Sequence, residues 1–154
     1  MTVDMINHPT HYIGGSGVEC LDIIELMPMM LGNGVKYIWR YSSKWNAAED
    51  VGKATFYFER YQKKLFKSKN TTALVLHSQT AQAAQEMWNT STRDSLRKHI
   101  VWLQETNAQS FKLFEAIYSF LSTARHGVVS HSLFEKVLEE LQALSEKVYE
   151  EEVK

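Results

Sequence analysis

Apolar residues recur at helical spacing along most of this chain, and the polar positions between them divide it into amphipathic segments. Between residues 18 and 27, Cys20, Ile23, Ile24 and Met27 share one face while Glu19, Asp22 and Glu25 recur every three residues on the other. This pattern predicts a first helix, ended by Pro28. At about 100° per residue, Val35, Ile38, Trp39 and Ser42 form the apolar back of a second helix. A third is predicted over residues 49–66, with Val51, Ala54, Phe58, Tyr61 and Leu65 as its core stripe.

A polar, charged run at residues 67–72 closes this first unit. Residues 73–76 favour β structure without amounting to a predicted strand, and residues 79–88 read as an alanine- and glutamine-rich helix. Helical patterns follow over residues 92–106, with Leu96, Ile100 and Leu103, and 108–125, with Phe111, Phe114, Ile117, Tyr118 and Leu121; His126-Gly127 is the stop. Ser132-Leu133-Phe134-Glu135 reads as a capping box. It opens a last helix in which Phe134, Val137, Leu138, Leu141, Leu144 and Val148 have heptad-like spacing. The expected fold is all-α: a small helical bundle at residues 1–66 with an appended helical region at 67–154. The last helix packs either in the bundle or against another subunit, which makes a homo-oligomer through the C-terminal helices an expectation.

With 154 residues, 44% of them hydrophobic, the chain can bury one complete core. A net charge of −1 gives no global attraction to nucleic acid or an acidic membrane, so no nucleic-acid partner is expected. The charges are nevertheless uneven. Residues 1–69 hold nine Lys/Arg against seven Asp/Glu, and residues 70–154 hold eight against eleven. A phosphate ligand therefore belongs with the first part. No segment reaches the length of a membrane span, and the lone Cys20 excludes an intrachain disulfide and suggests a reducing compartment. A cytoplasmic protein is expected, with Cys20 as a buried, inert thiol.

The densest chemistry lies in Gly32-Asn33-Gly34-Val35-Lys36-Tyr37-Ile38-Trp39-Arg40-Tyr41-Ser42-Ser43-Lys44. Asn33, Lys36, Arg40, Ser43 and Lys44 occupy one arc, so the second helix has a cationic front. Two glycines just before the first turn would leave free N–H groups and the positive dipole end for an anion. Lys36 and Arg40 would then grip phosphate oxygens; a merely solvated basic face is the competing reading. Asp50, Lys53 and Tyr57 line the edge of the third helix that can face this front, with Asp50 as an orienting base or an ion-pair partner and Lys53 as a further phosphate ligand. Upstream, the loop Asn7-His8-Pro9-Thr10-His11-Tyr12 offers His8, His11 and Tyr12 for ligand hydrogen bonding or stacking. His8 and His11 could also be metal ligands, but two histidines without a nearby third ligand make a weak metal signal. The Glu19/Asp22/Glu25 face admits Mg²⁺, although ion pairing or solvation accounts for it equally well.

Taken together, Asn7-His8-Pro9-Thr10-His11-Tyr12, Gly17-Val18-Glu19-Cys20-Leu21-Asp22-Ile23-Ile24-Glu25, Gly32 to Arg40, Lys44, and Glu49-Asp50-Val51-Gly52-Lys53-Ala54 with Tyr57 resemble a phage-encoded family long described as a domain of unknown function and associated with nucleotide kinase activity. The resemblance spans residues 6–66. It implies a small helical nucleotide-binding domain that lacks a Walker A loop and transfers phosphoryl groups to deoxynucleoside monophosphates in the host cytoplasm. Lys36, Arg40 and Asp50 would be its catalytic residues; His8, His11, Tyr12, Asn33, Lys44, Lys53 and Tyr57 would bind substrate. Three other functions compete with a kinase. One is a non-enzymatic binder that sequesters a nucleotide or nucleotide signal, as phage anti-defence proteins do. Another is an all-α, Mg²⁺-dependent nucleotide pyrophosphohydrolase. The last is a purely structural helical oligomer.

Overall fold

The computed structural model describes residues 15–43, 46–66, 73–75, 78–124 and 126–153, with backbone alone at 73–75, 78–81 and 83. In chain order these residues form α1 (Leu21–Ile24), α2 (Met29–Arg40), α3 (Ala47–Leu65), β1 (Ala73–Val75), α4 (Ser78–Met87), α5 (Thr90–Thr106), α6 (Ala108–Ala124), β2 (Val128–Ser130) and α7 (His131–Glu152). The fold is all-α, as the periodicity predicts. Its strands are two three-residue segments, paired antiparallel with Leu74 opposite Val129. No helix among the described residues is long and apolar enough to cross a membrane.

Local chemistry explains most boundaries. Asn46, Asn89 and Ser130 cap α3, α5 and α7, each side chain accepting the N–H of the residue three positions on. Gly127, at φ 75°, provides the left-handed turn after α6 that other residues adopt only with strain. The capping box expected at Ser132 is therefore displaced. Ser130 caps the helix, and Glu135 pairs with His131 at 3.3 Å.

Two further expectations are corrected at the start of the chain. The helix expected over 18–27 shrinks to the single turn Leu21–Ile24. Pro28 opens the next helix: with ψ at 144° it stands just outside α2, and its carbonyl accepts the Gly32 N–H at 2.9 Å. Gly32, Asn33 and Gly34 consequently lie inside α2, where Gly34 has no free N–H and no positive φ. The anion site expected at a helix start there does not form. The open N–H groups of α2 belong to its first turn, ahead of Lys36.

What Gly34 supplies is close approach. A Cβ at this position would lie 2.9 to 3.1 Å from three ring carbons of Phe58, so α2 and α3 meet with the Phe58 ring against bare backbone. Phe58 is fully buried and packs edge-on to Phe134 of α7, whose ring in turn meets Phe120 of α6 at 5.0 Å between centroids. Helices α2, α3, α7 and α6 are thereby layered in that order, with α5 on α6 and α1 on α5. A single connected core includes Val35 and Ile38, Leu96 and Ile100, Leu113 and Ile117, and Leu141 and Leu144. In the heptad-like stripe of α7, Phe134, Val137, Leu141, Leu144 and Val148 are buried within the chain and Leu138 is half-buried against the same core. The spacing that suggested a homo-oligomer is satisfied by the bundle itself.

Two glycines should respond in opposite directions to alanine. Gly34→Ala forces a methyl into the Phe58 ring and is expected to destabilise by about 1–3 kcal/mol. Gly52→Ala, in α3 with nothing within 4 Å, should stabilise by about 0.5–1 kcal/mol. Urea midpoints of the two variants against the parent measure both signs, and Phe58→Leu should recover part of the Gly34→Ala loss.

Candidate functional site

The contact between α2 and α3 brings together most of the sequence-predicted site residues that the structure describes. Arg40 ends α2 and Asp50 lies in the first turn of α3. The Arg40 guanidinium donates from Nη2 to Asp50 Oδ1 at 3.1 Å and from Nε to both carboxylate oxygens at 3.3 Å. Asp50 is 3% exposed, which makes this a largely dehydrated pair whose charges compensate each other. One turn toward the start of α2, Tyr37 stacks on Tyr57 of α3, with ring centroids 5.9 Å apart and 9° between planes. Three cations surround the Tyr37 ring. Lys36 Nζ and Arg40 Cζ lie 4.8 Å from its centroid and Lys53 Nζ lies 5.4 Å away, all within cation–π range.

These cations differ in availability. Lys53 is bonded to Glu49 at 2.8 Å, and that hydrogen bond holds its pKa above the usual lysine value. Arg40 is committed to Asp50. Lys36, half-buried over the ring, has no carboxylate partner among the described residues. Beside the stacked tyrosines, Phe56 is 59% exposed and meets Tyr57 edge-on at 5.4 Å. Tyr37 and Phe56 were absent from the predicted site. Tyr37 lies between two predicted cations, whereas exposure of Phe56 becomes visible only once α3 is packed.

Of the remaining predicted residues, Asn33 sits half-buried within α2. His8, His11, Tyr12 and Lys44 lie outside the described residues. The acidic face considered for Mg²⁺ does not form: α1 is one turn long, and Asp22 accepts the Glu19 N–H at 3.0 Å. No group of three or more His, Cys, Asp or Glu among the described residues is arranged to hold a metal ion. Cys20 is 1% exposed and burial pushes its thiol up to about 12, so it remains protonated and unreactive at neutral pH.

On the opposite side of α2 lies a cavity of about 220 Å³ that the sequence did not reveal. Its aromatic wall begins with Trp39, on which the His99 imidazole of α5 stacks at 3.8 Å between centroids and 14° between planes. Trp102 flanks His99 at 5.7 Å and Phe114 meets it edge-on at 5.1 Å. Gly15 lies so close to the Trp102 indole that a Cβ would come within 2.6 Å of it. The other wall is polar. Asn107 donates to the Tyr41 hydroxyl at 2.7 Å and accepts the Ser110 N–H at 3.1 Å, while Tyr41 and Ser110 hydroxyls meet at 3.0 Å. Local periodicity carries no signal for such a cavity, because its walls come from segments more than fifty residues apart.

Residues 6–59 match a family model described as a protein of unknown function (DUF3310). Comparisons with curated proteins and with solved structures return no match. The match corrects the expected resemblance: the matched family is one of unknown function, it ends at residue 59, and nothing in it indicates a nucleotide kinase.

Burial also sets the charge state of His99. Desolvation pushes its pKa down to about 4 from an ordinary 6.5, so the folded chain resists protonation where the unfolded chain accepts it. Stability should therefore fall as pH drops from about 6.5 to about 4, by roughly 3 kcal/mol from this residue, and the effect should level off below pH 4. His99→Phe should flatten that part of the profile, as read from urea midpoints of both proteins across pH 4–7.

Proposed function

We propose that the protein binds a nucleotide through its phosphates at the cationic face of α2 and α3 and releases it unaltered. The observation that carries this reading is Lys36, held half-buried over Tyr37 without a carboxylate partner among the described residues while Arg40 and Lys53 converge on the same ring. An anion brought to this face meets one ammonium that gives up no ion pair to receive it. Two neighbouring cations raise the local potential. The exposed ring of Phe56 provides a stacking surface of the sort that nucleobases use.

Binding is better supported than transfer. A general base must be open to the attacking hydroxyl. Both carboxylate oxygens of Asp50 instead accept from Arg40 in a nearly dry environment. The pair is well suited to holding Arg40 over the Tyr37 ring, and poorly suited to collecting a proton.

Small molecules released from the purified full-length chain by denaturation should include a nucleotide, identified by mass spectrometry. Calorimetric titration with mono-, di- and triphosphates should then show binding that weakens about 10- to 100-fold in Lys36→Ala, the range for one charge-assisted hydrogen bond. Absence of binding to any of them, or affinity indifferent to Lys36→Ala, would rule the proposal out. Recovery of the nucleotide with a phosphoryl group gained or lost would replace binding with catalysis.

A further inference from the structure

The cavity between α2, α5 and α6 has features that its role in packing does not require. His99 is 4% exposed, and its Nδ1 is 2.9 Å from the Ser16 hydroxyl. That hydroxyl accepts the Val18 N–H at 3.3 Å, and among the described residues Nδ1 is the one acceptor within reach of its own proton, which therefore points to Nδ1. A neutral imidazole carries one ring proton, which this arrangement assigns to Nε2. Nε2 has no hydrogen-bond partner among the described residues. Since no fully buried side-chain polar atom among them lacks a partner, Nε2 keeps some accessible surface, and the cavity is the open space that His99 lines.

We infer that this cavity is a binding site for a small, uncharged, planar heteroaromatic ring whose nitrogen accepts a hydrogen bond from His99 Nε2. The aromatic wall formed by Trp39, His99 and Trp102 suits a flat ring. A cation is disfavoured because the donor facing it is an N–H, and an anion because the cavity lining contains no Lys or Arg among the described residues. Size narrows the class further. At about 220 Å³ the cavity falls below the 300–1,000 Å³ or so typical of pockets for drug-sized ligands. It has the volume of roughly seven waters at ~30 Å³ each, enough for one fused bicycle. The hydroxyl and amide groups of Tyr41, Ser110 and Asn107 across the cavity satisfy one another, so on the aromatic wall His99 is the orienting group, with the Ser42 and Ser43 hydroxyls at the rim.

Quinoxaline, a neutral bicycle with acceptor nitrogens, and indole, a bicycle of similar size with a donor and no ring acceptor, test the assignment on the full chain. Nitrogen-15 spectra of the histidine rings should show a saturable shift at His99 Nε2 with quinoxaline and none with indole. His99→Phe, which keeps a stacked ring, should weaken quinoxaline at least tenfold, and Ser16→Ala should weaken it several-fold by releasing the tautomer. If quinoxaline at millimolar concentration leaves the His99 nitrogens of the unaltered protein unmoved, the site is refuted. Equal responses to quinoxaline and indole would refute the role of Nε2 as donor. The cavity is separate from the α2–α3 face, so failure of nucleotide binding there would leave these spectra unchanged.

Discussion

The bundle depends on the contact of the Phe58 ring with the bare backbone of Gly34. Helices ordinarily pack 8–10 Å apart because side chains separate them, and removing one Cβ permits a large ring to occupy that space. Phe58 then links α2 through α3 to Phe134 and Phe120, so one missing methyl aligns three aromatic side chains across three helices. The same approach sets the reach between Arg40 and Asp50 and the stacking of Tyr37 on Tyr57. A shift of an ångström at Gly34 would alter the spacing between the helices that carry both pairs.

From this contact, α2 acquires two chemically different sides. Toward α3 it presents cations around a tyrosine ring, with one carboxylate consumed in fixing Arg40. Toward α5 and α6 it presents Trp39, which joins His99 and Phe114 in an aromatic wall. A buried ion pair contributes little net stability, because the loss of hydration offsets the attraction. Its value here is orientation, since Arg40 is held close to Tyr37 and both oxygens of Asp50 are occupied. The stack on the opposite side likewise orients His99, and burial keeps that ring neutral through the physiological range.

Much of this was legible in the chain. Helical periodicity marked the buried faces of α2, α3, α5, α6 and α7, because a residue every three or four positions is all that one-sided burial requires. The opposition of Lys36 and Arg40 with Asp50, Lys53 and Tyr57 also followed from spacing on two adjacent helices, though which cation pairs with Asp50 did not. Boundaries were less legible. Pro28 can end one helix or begin the next, and Ser130 and Ser132 both offer capping hydroxyls. The glycines of α2 imitated a turn, since glycine is used both where backbone must bend and where it must be approached.

The sequence by itself determined the all-α class, the apolar faces and the identity of the charged residues on the α2 front, since each follows from side chains repeating along a single local helix. Tertiary structure alone decided that Gly34 serves packing, that Arg40 belongs to Asp50 while Lys36 has no carboxylate partner among the described residues, and that His99 faces a cavity. Those outcomes depend on the volumes and hydrogen-bonding capacities of residues far apart in the chain. Their partners are chosen only when the helices meet.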